Sequence, residues 1–188
     1  MKELQTERLT IRTAEQDIVD RISSKNNTDH VTEYLSSLSH EKLNTIFQET
    51  DFVMDLISRL SRSFLSEQNE YYAAFLEDHP IGYIALVNCD SKLPDLQIEI
   101  APEYQGCGYG YEFLSTFLQA LFEEGRYSCV QYTVIPSNKA SLQLVNNVGA
   151  FEQKASSAAE RLLLRTYQIS KLSMDAYAAH DFLQQPQT

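Results

Sequence analysis

The stretch QGCGYG, Gln105 to Gly110, holds three of the chain's six glycines. Ahead of it, Leu96 to Ala101 alternates apolar and polar residues, reads as a strand, and is stopped by Pro102. Behind it, Phe113, Leu114, Phe117, Leu118, Leu121 and Phe122 repeat at i, i+1, i+4, i+5, i+8 and i+9, one apolar face of a helix that Gly125 ends. A glycine-rich turn between strand and helix lets backbone N–H groups approach an anion, since no Cβ shields them and the helix terminus adds partial positive charge. A phosphate site is therefore the first expectation for residues 105–110, and a tight turn with no ligand is the alternative. Two phosphate motifs do not fit. No lysine follows as a P-loop requires, and a G-x-G-x-x-G count from Gly106 or Gly108 puts Tyr111 or Phe113 where its last glycine belongs.

Outward from the turn, hydrophobic period marks the remaining elements. Leu9 to Arg12 alternates as a first strand, and the glycine- and proline-free region 14–69 carries helical spacings, such as Phe52, Val53, Leu56, Ile57 and Leu60. Three or four helices are expected there, with breaks near Lys25–Asp29 and Ser39-His40. Tyr71 to Leu76 and Ile81 to Val87 form a hairpin about Glu77-Asp78-His79-Pro80. Cys129 to Ile135 is a further strand, Ala140 to Val148 a helix closed by Gly149, and Phe151 to Ala155 with Arg161 to Ile169 a last hairpin. The expected class is mixed α/β (α+β), with one main sheet flanked by helices. Residues 1–170 read as one domain and 171–188 as a frayed C-terminal tail.

Composition bounds the function classes. The chain has 188 residues, 43% of them hydrophobic, enough for a substantial core. Cys89, Cys107 and Cys129 make no CxxC pair, which favours a reducing compartment. The opening MKELQTERLTIR has no apolar targeting segment, and no apolar run reaches the roughly 20 residues of a membrane span. A cytoplasmic protein without membrane partners is expected. With 15 basic against 26 acidic residues, a net charge of -11 and no Lys/Arg cluster, nucleic acid is not an expected partner. A cationic or amine ligand would be drawn to such a surface, although the charge can equally serve solubility alone. His30, His40, His79 and His180 are scattered without metal spacing, so no metal is expected.

The pattern that does fit the turn is Q-x-x-G-x-G, on Gln105, Gly108 and Gly110. In this respect the chain resembles the GNAT superfamily of acetyl-CoA-dependent N-acetyltransferases, whose pyrophosphate signature is Q/R-x-x-G-x-G/A between the fourth strand and third helix. IAPEYQGCGYGYEFL is similar to that segment as a whole, NKASLQLVNNVGAF to a downstream one, and LQTERLTIR to the first strand of the branch that acetylates ribosomal-protein N-termini and some small amines. The resemblance implies a mostly antiparallel sheet splayed between its fourth and fifth strands, Leu96 to Ala101 and Cys129 to Ile135. It implies acetyl-CoA as cosubstrate, with pyrophosphate on Gln105, Gly106, Cys107, Gly108, Tyr109 and Gly110, pantetheine along the backbone of Ile100 and Ala101, and a contact from Asn138. The acceptor would be a primary amine, either a protein N-terminus or a cationic small molecule; a homodimer is left open.

Acetyl transfer to an amine requires a base, an oxyanion stabiliser and a proton for the departing thiolate. The family often supplies the proton from a tyrosine seven residues beyond the helix-opening asparagine, a position held here by Val145. Attention moves to Ser141, one helical turn from Asn138, whose alternative role is to cap or pack the helix start; Asn138 itself can be an N-cap. Glu99 shares a strand face with Gln97, opposite Leu96, Ile98 and Ile100, and is the candidate base, a structural ion pair or a solvated face being the alternatives. Glu70 is a second carboxylate considered for the acceptor side. Cys107 has no basic neighbour in sequence and reads as filler rather than nucleophile. The leading expectation is direct acetyl transfer. The alternatives are an acyl-CoA-binding sensor without turnover and a transferase of longer acyl groups.

Overall fold

The computed structural model describes the backbone of residues 1–23, 29–65 and 68–184. It contains strands β1 Leu4–Gln5 and β2 Thr10–Thr13, then helices α1 Gln16–Ser23, α2 Asp29–Ser37, α3 His40–Gln48 and α4 Thr50–Leu65. Strands β3 Glu70–Leu76, β4 His79–Val87 and β5 Asp95–Ile100 follow, then α5 Tyr109–Glu123, β6 Cys129–Val134 and α6 Lys139–Asn147. The chain continues through β7 Phe151–Glu152, α7 Ala158–Leu163, β8 Arg165–Ser170 and α8 Lys171–Gln184. The expected break at Lys25–Asp29 lies mostly outside the described residues, and that at Ser39-His40 falls where Ser39 caps α3.

All eight strands join one sheet in the order β1-β2-β3-β4-β5-β6-β8-β7, with every pair antiparallel except β5–β6. The apolar stripe expected on α5 is buried: Phe113, Leu114, Phe117 and Leu118 lie against one face of the sheet, with Ile84, Leu86, Leu96 and Tyr132 beneath them. Val19 and Ile22 of α1 cover the other face over Tyr83, Ala85, Val87 and Ala101. Two helical layers about one sheet thus bury apolar residues from both faces, as the near-continuous burial of β4 requires.

The sheet opens where the family resemblance implies. β4 and β5 pair from Asp95 to Ile100, and β6 and β8 pair from Cys129 to Val134. Between β5 and β6, however, only Asp95↔Gln131 and Leu96↔Tyr132 are in register. The closed end is pinned by the Asp95 carboxylate, which accepts from Gln131 Nε2 at 2.7 Å and Asn88 Nδ2 at 2.9 Å. These are the two strands expected to splay; the short β1 makes them fifth and sixth rather than fourth and fifth.

Three elements differ from expectation. The last hairpin is interrupted by α7, because Ser157 caps it by accepting from the Glu160 N–H at 3.0 Å, while the Glu160 carboxylate turns back to the Ser156 N–H at 2.7 Å. Strand β7 keeps only Phe151 and Glu152. The stretch from Lys171, expected to fray, is helical through Gln184. Ser170 and Ser173 exchange backbone-to-side-chain hydrogen bonds at 3.0 and 3.1 Å to start it, and it passes directly over Gly149. A Cβ on Gly149 would stand 2.6 Å from the Ser173 carbonyl oxygen, so only glycine permits this approach.

Candidate active site

The glycine loop leads from the end of β5 into α5. Gly106 and Gly108 both take positive φ, 74° and 82°, and Gly108 is the N-cap of α5. Such alternation turns successive N–H groups to one side. Among the described residues, the backbone N–H groups of residues 106–111 find no protein acceptor, and the first helical bond at this end is Glu112 N–H to Gly108 O at 3.1 Å. Amides left open this way at a helix N-terminus are a ready anion site. Gln105 plays a different part from its neighbours. Its side chain donates to the Ile100 carbonyl at 2.8 Å and so ties the loop to the strand end. Cys107 is exposed, with its Sγ 3.6 Å from the Gln105 carbonyl, and its own carbonyl accepts from the Arg8 guanidinium at 3.0 Å.

The strand edge beside the loop also has a definite polarity. Ala101 N–H donates to Ile81 O at 2.9 Å and Ala101 O accepts from Tyr104, so both backbone groups of Ala101 are committed. Because hydrogen-bonded and open positions alternate along an antiparallel strand, Ile98 and Ile100 instead turn their amides toward the β5–β6 opening. Of the two residues expected to line a pantetheine arm, Ile100 faces the gap and Ala101 does not. Ile98 joins Ile100 there, a register effect that sequence alternation alone does not resolve.

Glu99 lies on the opposite strand face from Ile98 and Ile100, as expected. It stands across from Tyr83, whose hydroxyl donates to Glu99 Oε2 at 2.5 Å, and Ser23 Oγ at the end of α1 is 3.4 Å from the same oxygen. Burial, then the hydrogen bond to Glu99, pushes the Tyr83 phenol well above its ordinary pKa. The carboxylate is therefore held in one orientation by a phenol that stays protonated. Glu70 is not part of this group. It sits opposite Leu86 at the closed end of the sheet, forms an ion pair with Arg126 and accepts from the Tyr72 hydroxyl at 2.7 Å. The Arg126 guanidinium holds its carboxyl below the usual range, so Glu70 is a structural ion-pair partner rather than a base.

At the start of α6, Asn138 is the N-cap, its Oδ1 accepting from the Ser141 backbone N–H at 3.0 Å. Ser141 therefore contributes only its main chain to the cap, and its hydroxyl is engaged elsewhere. Tyr132 of β6, 4% exposed, points its hydroxyl at Ser141 Oγ across 3.3 Å. Burial pushes this phenol's pKa up, and the bond to Ser141 acts against that shift. Val145, seven residues beyond Asn138, is fully buried. Sequence alone does not single out Tyr132, because a tyrosine in an alternating strand reads as core. Among the described residues no group of His, Cys, Asp and Glu could hold a metal, and no helix is long and apolar enough to cross a membrane.

The acetyltransferase (GNAT) domain model matches residues 8–150. The chain belongs to the GNAT family. GNAT proteins are acyl-CoA-dependent acetyltransferases, a chemistry for which the open amides and the strand opening leave room. No curated protein matches the chain. This GNAT chain is similar to spermidine N-acetyltransferase from Vibrio cholerae in complex with CoA and spermine, at 18% identity and a TM-score of 0.59, covering 90% of this chain and 99% of that one. It is similar to ribosomal-protein-S5-alanine acetyltransferase from Vibrio fischeri, at 14% identity and a TM-score of 0.56, over 90% and 97% of the two chains. It is also similar to the ribosomal alpha-N-protein acetyltransferase RimL in complex with coenzyme A, at 14% identity and a TM-score of 0.59, over 90% and 98%. At these identities the likeness is one of fold.

Proposed function

We propose that this GNAT protein moves an acetyl group from acetyl-CoA to a primary amine by direct attack on the thioester. The observation that carries the proposal is the run of backbone N–H groups at residues 106–111, left without protein acceptors beside the β5–β6 opening. The pyrophosphate would lie on those amides, the amides of Ile98 and Ile100 would pair with the pantetheine arm as a missing strand would, and the thioester would lie in the opening. The amine nitrogen adds to the thioester carbonyl carbon, the C–S bond breaks, and the thiolate leaves. The proton lost by the amine would pass to Glu99, directly or through water, and Ser141 Oγ–H would steady or protonate the thiolate. No covalent enzyme intermediate is required.

The acceptor class follows from chemistry that several relatives share. The similar structures include a spermidine N-acetyltransferase and an alpha-N-protein acetyltransferase, both of which act on amines. A chain of net charge -11 attracts such cations. Val145, buried where a tyrosine acid is common, supports a second reading: a sensor that binds CoA without turnover. An amine panel separates the two. Acetyl-CoA consumption is measured with spermidine, aminoglycosides and peptides of differing first residue, alongside CoA affinity by calorimetry. Turnover with one amine class supports the transferase, whereas tight CoA binding with no consumption on any amine leaves the sensor. A longer acyl-CoA consumed in preference would change the donor.

A further inference from the structure

The turn between β1 and β2 is joined to the cofactor loop by a set of contacts that neither the strand hairpin nor the helix needs for itself. Thr6 closes this turn: the backbone N–H groups of Arg8 and Leu9 donate to its hydroxyl oxygen at 3.2 and 2.8 Å. The Thr6 hydroxyl proton is directed to Glu112 Oε1 at 2.5 Å, and the Arg8 N–H donates to the same oxygen at 3.0 Å. The Arg8 side chain then grips the other oxygen, with Nε at 2.7 Å and a terminal nitrogen at 2.6 Å from Glu112 Oε2. Glu112 stands in the first turn of α5, where a carboxylate also meets the positive end of the helix dipole.

The remaining Arg8 contacts fall on the glycine loop itself. The second terminal nitrogen donates to the Cys107 carbonyl at 3.0 Å, and the guanidinium lies 4.4 Å above the Tyr109 ring. A peptide unit is planar and trans, so its C=O and N–H point in opposite directions. Drawing the Cys107 carbonyl toward Arg8 therefore turns the Gly108 N–H away from Arg8. A Cβ built on Gly108 would meet an Arg8 nitrogen at 3.4 Å, which places the guanidinium on the side of Gly108 where another residue's side chain would stand. One arginine thereby sets the orientation of the central peptide of the loop, and Glu112 holds that arginine by two bonds.

We infer that Arg8 and Glu112 are positioning residues for the cofactor loop, a latch that keeps the amides of residues 106–111 aimed at the CoA pyrophosphate. This inference rests on the assignment of that loop to CoA. Pre-organised donors bind an anion without first ordering the chain, and the latch removes that cost. The effect is specific to the phosphate-bearing part of the cofactor. The pantetheine arm and the acceptor lie along β5 and the opening, which Arg8 does not touch.

The test compares CoA with S-acetylpantetheine, a donor lacking the pyrophosphate, by calorimetry on wild type, Arg8→Ala and Glu112→Gln. In both variants the preference for CoA over S-acetylpantetheine should fall by about 10-fold, one lost charge-assisted contact set, and KM for acetyl-CoA should rise more than kcat falls. Arg8→Lys, a point charge that cannot bridge a carboxylate and a carbonyl together, should recover only part of the loss. If Arg8 instead bound phosphate directly, freeing it in Glu112→Gln would leave CoA affinity equal or higher, and the latch would be wrong. An unchanged preference in folded Arg8→Ala, or an equal loss for both ligands, overturns it as well. Should Arg8→Ala not fold, Glu112→Gln carries the same comparison. Failure of wild type to bind CoA would instead refute the cofactor assignment beneath it.

Discussion

Removing the Ser141 hydroxyl is expected to change stability and turnover through a partner 9 residues away in sequence. The helix cap survives in Ser141→Ala, because the bond to Asn138 is made by the Ser141 main chain. What is lost is the acceptor for the Tyr132 hydroxyl, a phenol 4% exposed with no other hydrogen bond among the described residues. An abandoned buried donor costs about 1–3 kcal/mol, whereas removing the phenol in Tyr132→Phe leaves a half-buried serine that water can serve, at about 0.5–1.5 kcal/mol. The double variant removes donor and acceptor together, so it should be less destabilised than the sum of the singles by about 1 kcal/mol. Urea unfolding of all four proteins measures this coupling. Strict additivity, within about 0.3 kcal/mol, would refute the pairing. The same proteins separate catalysis from stability. If Ser141 serves the departing thiolate, kcat of folded Ser141→Ala falls by about 10- to 1,000-fold with acetyl-CoA affinity little changed. Tyr132→Phe, which retains the serine but frees its orientation, should then fall less. Normal kcat in folded Ser141→Ala would leave water as the proton source.

Three further outcomes are expected. Gly108→Trp should abolish measurable CoA binding by calorimetry, since φ of 82° disfavours any side chain and the bulk would cover the loop amides; a folded variant with wild-type affinity would move the cofactor elsewhere. Glu99→Gln keeps an acceptor for the Tyr83 hydroxyl but removes basicity, so kcat should drop by about 100-fold; an unchanged kcat in the folded variant would make Glu99 structural. Stability should fall at both extremes of pH. The Glu70 carboxyl is held low by Arg126, so its contribution is present above the ordinary carboxylate range and lost as pH drops through the folded value. The Tyr83 and Tyr132 phenols are raised by burial, so stability holds up to about pH 10 and declines above it, where the unfolded chain releases protons the folded chain keeps. Urea midpoints from pH 3 to 11 would show this, and a flat acid limb in wild type would contradict the role given to Glu70.

What the amino-acid sequence determined by itself was everything that depends on neighbours along the chain. The apolar period of α5, the alternation of β5, and the glycines of residues 105–110 are local patterns, and each became the element or turn it announced. The S-x-x-E signal at Ser157–Glu160 is equally local and starts α7 within a stretch whose apolar pattern otherwise reads as strand. The tertiary structure alone decided which groups meet. Arg8 reaches Glu112 across 104 residues, Tyr132 finds Ser141 only once β6 lies under α6, and the tail becomes a helix where Gly149 gives it a place to pack. Register did the same for the edge of β5: a single hydrogen bond from Ala101 to Ile81 turns the amides of Ile98 and Ile100 toward the opening and that of Ala101 away from it. Periodicity along a chain states which face a residue takes, but the partner on that face is set by packing between distant segments, and a one-residue shift in pairing would exchange every such contact.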